Sequence, residues 1–436
     1  MIQPNEKTLY HYYKITVMKT RYLILAITAS LLINTKVDAQ DTNWVKKNTW
    51  YFDNFGRDTL PWSIFRETFI GVAPAPAADF DQLFYSLLYQ TKLAGPGHCY
   101  GMDVMAMLMK KNGGFLGYCH PPYVYNGSLA GNTNPSGMPS NDTVGPSDRT
   151  LRTAIEIVHG YQITHGFLSF LLDVIAKHKN RDGRYAFQQF EYYLAKDDQP
   201  IISITGDLSP EKGGHVLIPY DKEISGTTKK IYVYDPNRSW YKPGATGHDW
   251  YTARNNFIEI NGITGAWKYT MCCDTVWAGD PGSGGNLLVI PLSIAGRKDR
   301  LPQSLLADGS YAINTITIFG DVKVEQISDL SDKKRYLNAN GTDIESCEEN
   351  RLMNVMPFMP MDGATPSKGT GRTNAYFFRG TDPVKLRYRA HGKYKIGMIF
   401  YGRYYEVNGM GKGEVQFFSP EEKFLNEIHK PEGSAR

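Results

Sequence analysis

Apolar residues at helical spacing mark the first half of the chain. Between residues 79 and 89, apolar side chains recur every three or four positions, namely Phe80, Leu83, Phe84, Leu87 and Leu88. The run that follows Cys99 has the same spacing, and residues 150–177 continue it with breaks expected around Gly160 and Gly166. This spacing predicts amphipathic helices.

Short apolar segments separated by turn residues follow from residue 199 onward. Three come in succession, at 199–204, 213–220 and 230–234, and later ones cover 286–291, 314–319, 322–327, 376–379, 384–389, 395–401 and 414–418. Segments of this kind predict β-strands. Helices followed by strands favour an α+β fold, and the late strands predict a β-sandwich-like second domain.

The length of the chain favours more than one domain. A chain of 436 residues is long for a single core, so we expect two domains. The glycine-rich run 279–285 is the best boundary, which gives a first domain over 40–280 and a β-rich C-terminal domain over 286–436. The aromatic segment 41–80 is either a wrap over the first domain or a pro-segment, and 126–148 is expected to be a surface loop.

The N-terminus has the pattern of a secretory signal. Lys19 and Arg21 precede the apolar run 22–33, and Val37 and Ala39 supply small residues before a cut near Ala39. We therefore expect a signal peptide over 1–39, with Met18 as an alternative start, and an exported protein that is periplasmic, extracellular or on the cell surface. A membrane anchor is the alternative interpretation.

Composition and cysteine count limit the class of protein and the state of its thiols. The hydrophobic fraction of 42% and charged fraction of 21% are those of a globular protein, and a net charge of +4 over this length gives no reason to expect a nucleic-acid partner. In an oxidising compartment, five cysteines leave at least one thiol unpaired. Cys99 is the natural candidate, which leaves four cysteines for disulfides: Cys119, Cys272, Cys273 and Cys347.

Cys99 is predicted to begin a helix. The loop 95–97 is Gly-Pro-Gly and the apolar helical run starts directly after it. Backbone N–H groups at a helix N-terminus favour a thiolate and can stabilise an oxyanion. Gly97 and Gly101 are expected to let a substrate backbone approach. The alternative is a buried structural cysteine.

His215 and Asp235 are predicted neighbours on two strands joined by a hairpin. His215 opens the strand 213–220, and Asp235 ends the next strand. A hairpin brings the start of its first strand beside the end of its second. There a carboxylate can fix the imidazole tautomer and stabilise its cation. Alternatively, His215 is a polar residue at a strand start and Asp235 opens an ordinary turn.

These residues resemble the motifs of papain-like cysteine peptidases, most closely the bacterial Cys-His-Asp branch that includes bacteriocin-leader-processing peptidases. The matching stretches are 97–102 around Cys99, 214–216 around His215, and Asp235 followed by Pro236. The resemblance implies a Cys-bearing helix packed on an antiparallel sheet that bears His and Asp. It also implies Cys99 as nucleophile, His215 as general base and acid, and Asp235 or alternatively Asn237 as the orienting residue.

One position in this sequence departs from the pattern of papain-like peptidases. Members usually carry a glutamine shortly before the cysteine to complete the oxyanion hole, but Leu93 stands at that position here, and Gln90 is the nearest glutamine. The resemblance implies no cofactor and no metal. His159 and His165 are six residues apart, which is not a helical metal-ligand spacing.

The function expected from these residues is a secreted cysteine hydrolase. It would cleave a peptide or isopeptide bond of a peptide or protein substrate through a thioester, and the C-terminal domain would bind a carbohydrate or cell-surface ligand. Two alternatives stay open: a non-catalytic secreted binding protein on the same fold, and an acyl transferase of the transglutaminase or amidase type.

Overall fold

The computed structural model describes most of the chain beyond residue 41. The described residues are 42–74, 79–95, 97–125, 148–177, 179–206, 214–238, 251, 254–270, 276–302, 313–331, 335–337, 355–358, 361, 375–379, 383–400 and 403–417. The expected signal segment, the expected loop apart from residue 148, and Cys272, Cys273 and Cys347 lie outside these residues.

The helices precede most of the strands. They are α1 (Thr42–Asn48), α2 (Trp62–Thr68), α3 (Asp79–Phe84), α4 (Cys99–Asn112), α5 (Leu151–His159), α6 (His165–Ala176), α7 (Gly183–Ala195) and the single turn α8 (Leu292–Ala295). A π-helical stretch, Tyr85–Leu93, continues α3, and 3₁₀ turns cover Pro122–Tyr125 and Gly160–Ile163. None of the helices within the described residues is both long and apolar enough to span a membrane.

The predicted helices over 79–89, after Cys99 and over 150–177 are confirmed, whereas α1, α2, α7 and the single turn α8 were not predicted. The break at Gly160 occurs as expected, whereas the second falls at Thr164 rather than Gly166. The helices α1 and α2 lie in the segment expected to be irregular. The helix α7 begins where Asp182 accepts a hydrogen bond from the Arg184 N–H at 2.9 Å, an N-cap that the sequence analysis overlooked.

An eight-stranded antiparallel sheet follows the helices. Its strands are β1 (Pro200–Thr205), β2 (Gly214–Ser225), β3 (Thr228–Tyr234), β4 (Phe257–Asn261), β5 (Trp267–Thr270), β6 (Val276–Asp280), β7 (Ser283–Gly284) and β8 (Asn286–Pro291). The spatial order is β7-β6-β5-β4-β3-β2-β1-β8, so β8 returns to pair with β1. The residues expected to open the second domain therefore form an edge strand of this sheet, while the division into two domains stays a prediction.

A second antiparallel sheet has seven strands. They are β9 (Asn314–Phe319), β10 (Val322–Ser328), β11 (Arg335–Leu337), β12 (Val355–Pro357), β13 (Ala375–Phe378), β14 (Val384–Phe400) and β15 (Arg403–Phe417). The order is β11-β10-β14-β9-β13-β12, with β15 along β14. Two predicted strands, 384–389 and 395–401, are one long strand with an irregularity after Arg389. The α+β class is thus confirmed.

The largest core joins the helices to strands of both sheets. It contains Met105 of α4, Val216 of β2 and Phe377 of β13. Trp50 and Phe52 of the segment 41–80 are also buried in it, and the Trp50 indole N–H donates to the Met102 carbonyl at 2.8 Å. Buried aromatic side chains of this size supply large stabilising apolar area, so this segment is an integral part of the fold.

Candidate active site

Cys99 is the first residue of α4 and is fully buried. Its position confirms the predicted helix start, and the backbone N–H groups of the first turn surround it. Gly101 serves helix packing rather than substrate approach, because a Cβ atom there would lie 2.3 Å from the Ile155 carbonyl oxygen of α5. The small residue therefore permits close contact between α4 and α5.

The hairpin of β2 and β3 brings His215 and Asp235 together. The imidazole Nε2–H donates to Asp235 Oδ1 at 2.7 Å, and both side chains are fully buried. Since Nε2 carries the proton in this bond, Nδ1 is the basic nitrogen of the neutral ring. Nδ1 is buried and has no hydrogen-bond partner within the part of the chain that the structure describes.

Further hydrogen bonds hold the Asp235 carboxylate and its backbone. The Tyr269 hydroxyl donates to Oδ2 at 2.6 Å, the Asn237 N–H donates to Oδ1 at 2.8 Å, and the Asp235 N–H donates to the Tyr251 hydroxyl at 2.9 Å. Burial alone raises the pKa of Asp235, but His215 and the hydrogen bonds to the carboxylate outweigh burial and hold it below its usual value. Asn237, the alternative orienting residue, thus supports Asp235.

Met361 lies between the cysteine and the histidine strand. The Cys99 thiol donates to the Met361 carbonyl oxygen at 3.1 Å, and the Tyr100 N–H donates to the same oxygen at 3.4 Å. Met361 also forms a parallel β-bridge with Gly214, the residue before His215. Cys99 and the strand that begins at His215 are thus both next to Met361.

The glutamine nearest to this site is Gln162, not Gln90. Gln162 Oε1 accepts the Met361 N–H at 2.9 Å, while Nε2 donates to the His159 carbonyl at 2.9 Å. Gln90 lies on the π-helical stretch, where its carbonyl accepts the Leu60 N–H. No hydrogen bond within the described residues joins Gln90 to Cys99. The sequence analysis missed Gln162 because it searched only upstream of the cysteine.

Asn54 connects the cysteine loop to the aspartate turn. Its Oδ1 accepts the His98 N–H at 2.6 Å, and its Nδ2 donates to Asn237 Oδ1 at 2.9 Å. Its own N–H donates to the Pro236 carbonyl at 2.9 Å. One side chain from the segment 41–80 therefore fixes the relative position of the two loops that carry Cys99 and Asp235. The sequence contains no motif that would have identified this role.

Two further histidines are buried beside Cys99 and act as packing residues. The His98 Nδ1–H donates to the Phe55 carbonyl at 2.8 Å, and the ring centroids of His98 and His159 are 4.5 Å apart. Burial lowers the pKa of His98 to about 4 and that of His159 well below its ordinary value. Both are therefore weaker bases than an ordinary imidazole, and His215, which is paired with Asp235, is the candidate base.

Asp103 is a buried carboxyl one turn beyond Cys99. It is fully buried, and neither of its oxygens has a hydrogen-bond partner within the described residues. Burial, reinforced by the charge of Asp235, raises the pKa of Asp103 well above its usual value. The fold therefore favours the neutral, protonated form of the Asp103 carboxyl over the carboxylate.

Among the described residues, no group of three or more His, Cys, Asp or Glu side chains could hold a metal ion. Cys99 is a buried thiol and Cys119 an exposed thiol, and neither is in a disulfide within that part of the chain.

Comparison of the chain with protein-family models, curated proteins and solved structures finds no match. The proposed function is therefore based on the geometry of the site alone.

Proposed function

We propose that the protein is a cysteine hydrolase of papain-like fold that cleaves peptide or isopeptide bonds, with Cys99, His215 and Asp235 as its catalytic triad. The observation that carries the proposal is the 2.7 Å hydrogen bond from His215 Nε2 to Asp235. It leaves Nδ1, which has no hydrogen-bond partner among the described residues, available in a buried site that adjoins the cysteine at a helix N-terminus. An activated thiol needs a base with this orientation.

The chemistry follows from these positions. His215 Nδ1 takes the proton of Cys99, and the thiolate forms a bond to the substrate carbonyl carbon. The Tyr100 N–H, which already donates to a carbonyl oxygen, stabilises the resulting oxyanion. The C–N bond then breaks as the imidazolium gives its proton to the leaving amine. Water then attacks the thioester carbon while His215 takes a proton from it. The C–S bond breaks, the acyl group leaves as a carboxylic acid, and the Cys99 thiolate takes the proton back from the imidazolium.

Asp235 has two roles in this sequence. Its carboxylate holds the proton on Nε2, so that Nδ1 is the basic nitrogen, and its negative charge stabilises the imidazolium. The depressed pKa of Asp235 keeps the carboxylate ionised throughout the neutral range. The chemistry itself does not depend on export. The protein must be exported if its substrate lies outside the cell, and the sequence of residues 1–39 supports export.

The alternative, a non-catalytic binding protein on the same fold, is favoured by one observation. Cys99 is fully buried and its thiol donates to a carbonyl oxygen, and a hydrogen bond from the thiol stabilises the thiol over the thiolate. In that case Cys99 would be a packing residue and His215 would not affect its reactivity.

Alkylation of Cys99 by iodoacetamide separates the two functions. The rate is measured from about pH 4 to about pH 9 by mass spectrometry of the Cys99 peptide, with exposed Cys119 as an internal reference for reagent access. We expect His215→Ala to move the Cys99 profile to higher pH by at least about one unit. His120→Ala, at an exposed histidine, is the matched control and should leave the profile unchanged. A Cys99 profile that is indifferent to His215 would contradict the proposed catalytic function.

A further inference from the structure

The protein holds one of its own segments at the candidate catalytic cysteine. The residues of this segment that the structure describes are 355–358 and 361, and we call them the resident segment. Its strand β12 pairs with β13, and the Phe358 N–H donates to the Ala375 carbonyl at 2.7 Å. These bonds hold residues 355–358 along β13.

The main-chain carbonyl and N–H of Met361 are hydrogen-bonded in the way expected for the main chain of a bound peptide substrate. Its carbonyl oxygen accepts hydrogen bonds from Cys99 Sγ and the Tyr100 N–H, at 3.1 and 3.4 Å. Its N–H donates to the buried Gln162 Oε1 at 2.9 Å. The bridge to Gly214 adds strand pairing beside His215. Main-chain pairing with a strand edge is a general mode of peptide recognition.

Most of the surroundings of Met361 are apolar. Met361 is 4% exposed and lines a small cavity with Leu168, Leu171 and Leu288. The cavity also has three polar lining residues, namely Gln162, Thr205 and Asn286. A flexible, unbranched side chain fits a mainly apolar, irregular space of this kind, whereas a carboxylate would lose most of its hydration there and find no cationic side chain among the described lining residues.

We propose that the resident segment occupies the active site in the manner of a peptide substrate, with the Met361 carbonyl in the place of the carbonyl that Cys99 attacks. This inference depends on the proposed function and specifies it further. The substrate class is an extended peptide that carries an apolar, methionine-like side chain at the residue whose carbonyl forms the thioester. The resident segment competes with that substrate, so its release controls access to Cys99.

Substitution of Met361 tests the occupancy. Met361→Asp should expel the segment and increase the rate of Cys99 alkylation at least about tenfold over the wild-type chain. The matched control is Met410→Asp, the same change at a methionine that is 60% exposed, and it should leave the rate unchanged. Circular dichroism and thermal melting verify folding, and Met361→Gly replaces the aspartate variant if that variant does not fold. Equal rates in the wild type and both folded Met361 variants would overturn the proposal.

Two peptide aldehydes test the substrate class in the Met361→Asp chain. One has the sequence of residues 355–361 and ends in methionine, and the other ends in aspartate instead. The Cys99 thiol adds to the aldehyde carbon and its proton passes to the oxygen, which gives a hemithioacetal that blocks alkylation. The methionine aldehyde should protect Cys99 at a concentration at least about tenfold lower than the aspartate aldehyde. Equal protection would overturn the assigned specificity.

These outcomes are distinguishable from failure of the proposed function. If alkylation depends on His215 but not on Met361 or on the terminal residue of the aldehyde, the cysteine hydrolase stands and the substrate-like occupancy is wrong. If alkylation of Cys99 is independent of His215 in every chain, the hydrolase itself is wrong, and this inference fails with it.

Discussion

At the scale of single residues, Asp235 is stabilised by partners that lie on three different parts of the sheet. His215 comes from β2, Tyr269 from β5 and Asn237 from the turn after β3. The carboxylate therefore has a folded-state pKa below its unfolded value. The stability that it contributes is fully present above about pH 4 and is lost as the pH falls through the folded pKa.

Tyr269→Phe tests this description of Asp235. Loss of the hydroxyl removes one of the hydrogen bonds that lower the pKa, so acid unfolding should begin at a higher pH. We expect the free energy of unfolding at neutral pH to fall by about 1–3 kcal/mol. Urea titrations at several pH values measure both effects. Tyr193→Phe, at a half-buried tyrosine of α7, is the control, and an equal effect there would contradict the assignment.

The pKa of Asp103 predicts a pH dependence of stability that is opposite in sign to that from Asp235. Its folded pKa is raised, so above about pH 4 the unfolded chain releases a proton that the folded chain keeps. Stability should therefore decrease with rising pH, by up to about 1.4 kcal/mol per pH unit, until the folded pKa is reached. Asp103→Asn removes this dependence and should stabilise the protein at pH 7. Unchanged pH dependence of the unfolding free energy would show that Asp103 is ionised in the fold.

The contacts of a side chain could be predicted from the sequence where local structure determines which residues are its neighbours. His215 opens the first strand of the hairpin and Asp235 follows the second strand, so both lie at the open end of the hairpin. Strand geometry alone therefore places them together, and their hydrogen bond confirms that placement. Met361 contacts Cys99 from 262 positions away, and Gln162, which lies 63 positions from Cys99, binds Met361. Contacts at such separation depend on tertiary packing, and no local pattern encodes them.

At the scale of secondary-structure elements, the segment 41–80 does more than was predicted from its composition. It contributes the helices α1 and α2, buried aromatic residues, and Asn54 as the link between two loops of the site. Short helices of this kind have few periodic positions, so their apolar pattern is too brief to be recognised. Gly183 to Ala195 was missed because its N-cap, Asp182, was not considered.

Asn54→Ala tests the link between the loops. Two hydrogen bonds are lost, one to His98 and one to Asn237, so we expect the free energy of unfolding to decrease by roughly 1–3 kcal/mol. Asn54→Asp retains the acceptor for the His98 N–H but loses the donor to Asn237, and its effect should be smaller. Asp58→Ala, at an exposed position in the same segment, should be neutral in urea unfolding. A loss as large in Asp58→Ala would show a general sensitivity of the segment instead.

At the scale of the whole molecule, the main core connects elements that the sequence assigned to separate domains. Phe377 and Ala375 of β13 lie in the same buried cluster as Ile201 of β1 and Leu168 of α6. The sequence predicted most of the strands but not this contact, because glycine-rich turns mark the ends of strands whether or not a domain ends there. The strand β8 illustrates the point, since it follows the 279–285 turn and pairs with β1.

Phe377→Ala tests whether the shared core makes unfolding cooperative. The side chain is fully buried, so truncation should cost about 3–5 kcal/mol. Hydrogen exchange measured by mass spectrometry should show faster exchange in β1 as well as in β9. Acceleration confined to β9 and its neighbours in the second sheet would instead indicate two domains that unfold independently.

The proposed functional pairing of Cys99 with His215 is tested most directly by the ultraviolet absorbance of the Cys99 thiolate, because no reagent has to enter the buried site. The signal is the difference between the chain and its Cys99→Ser variant, followed from about pH 4 to about pH 9. We predict that His215→Ala shifts this absorbance transition to higher pH by at least about one unit. A transition at the same pH with and without His215 would contradict the pairing.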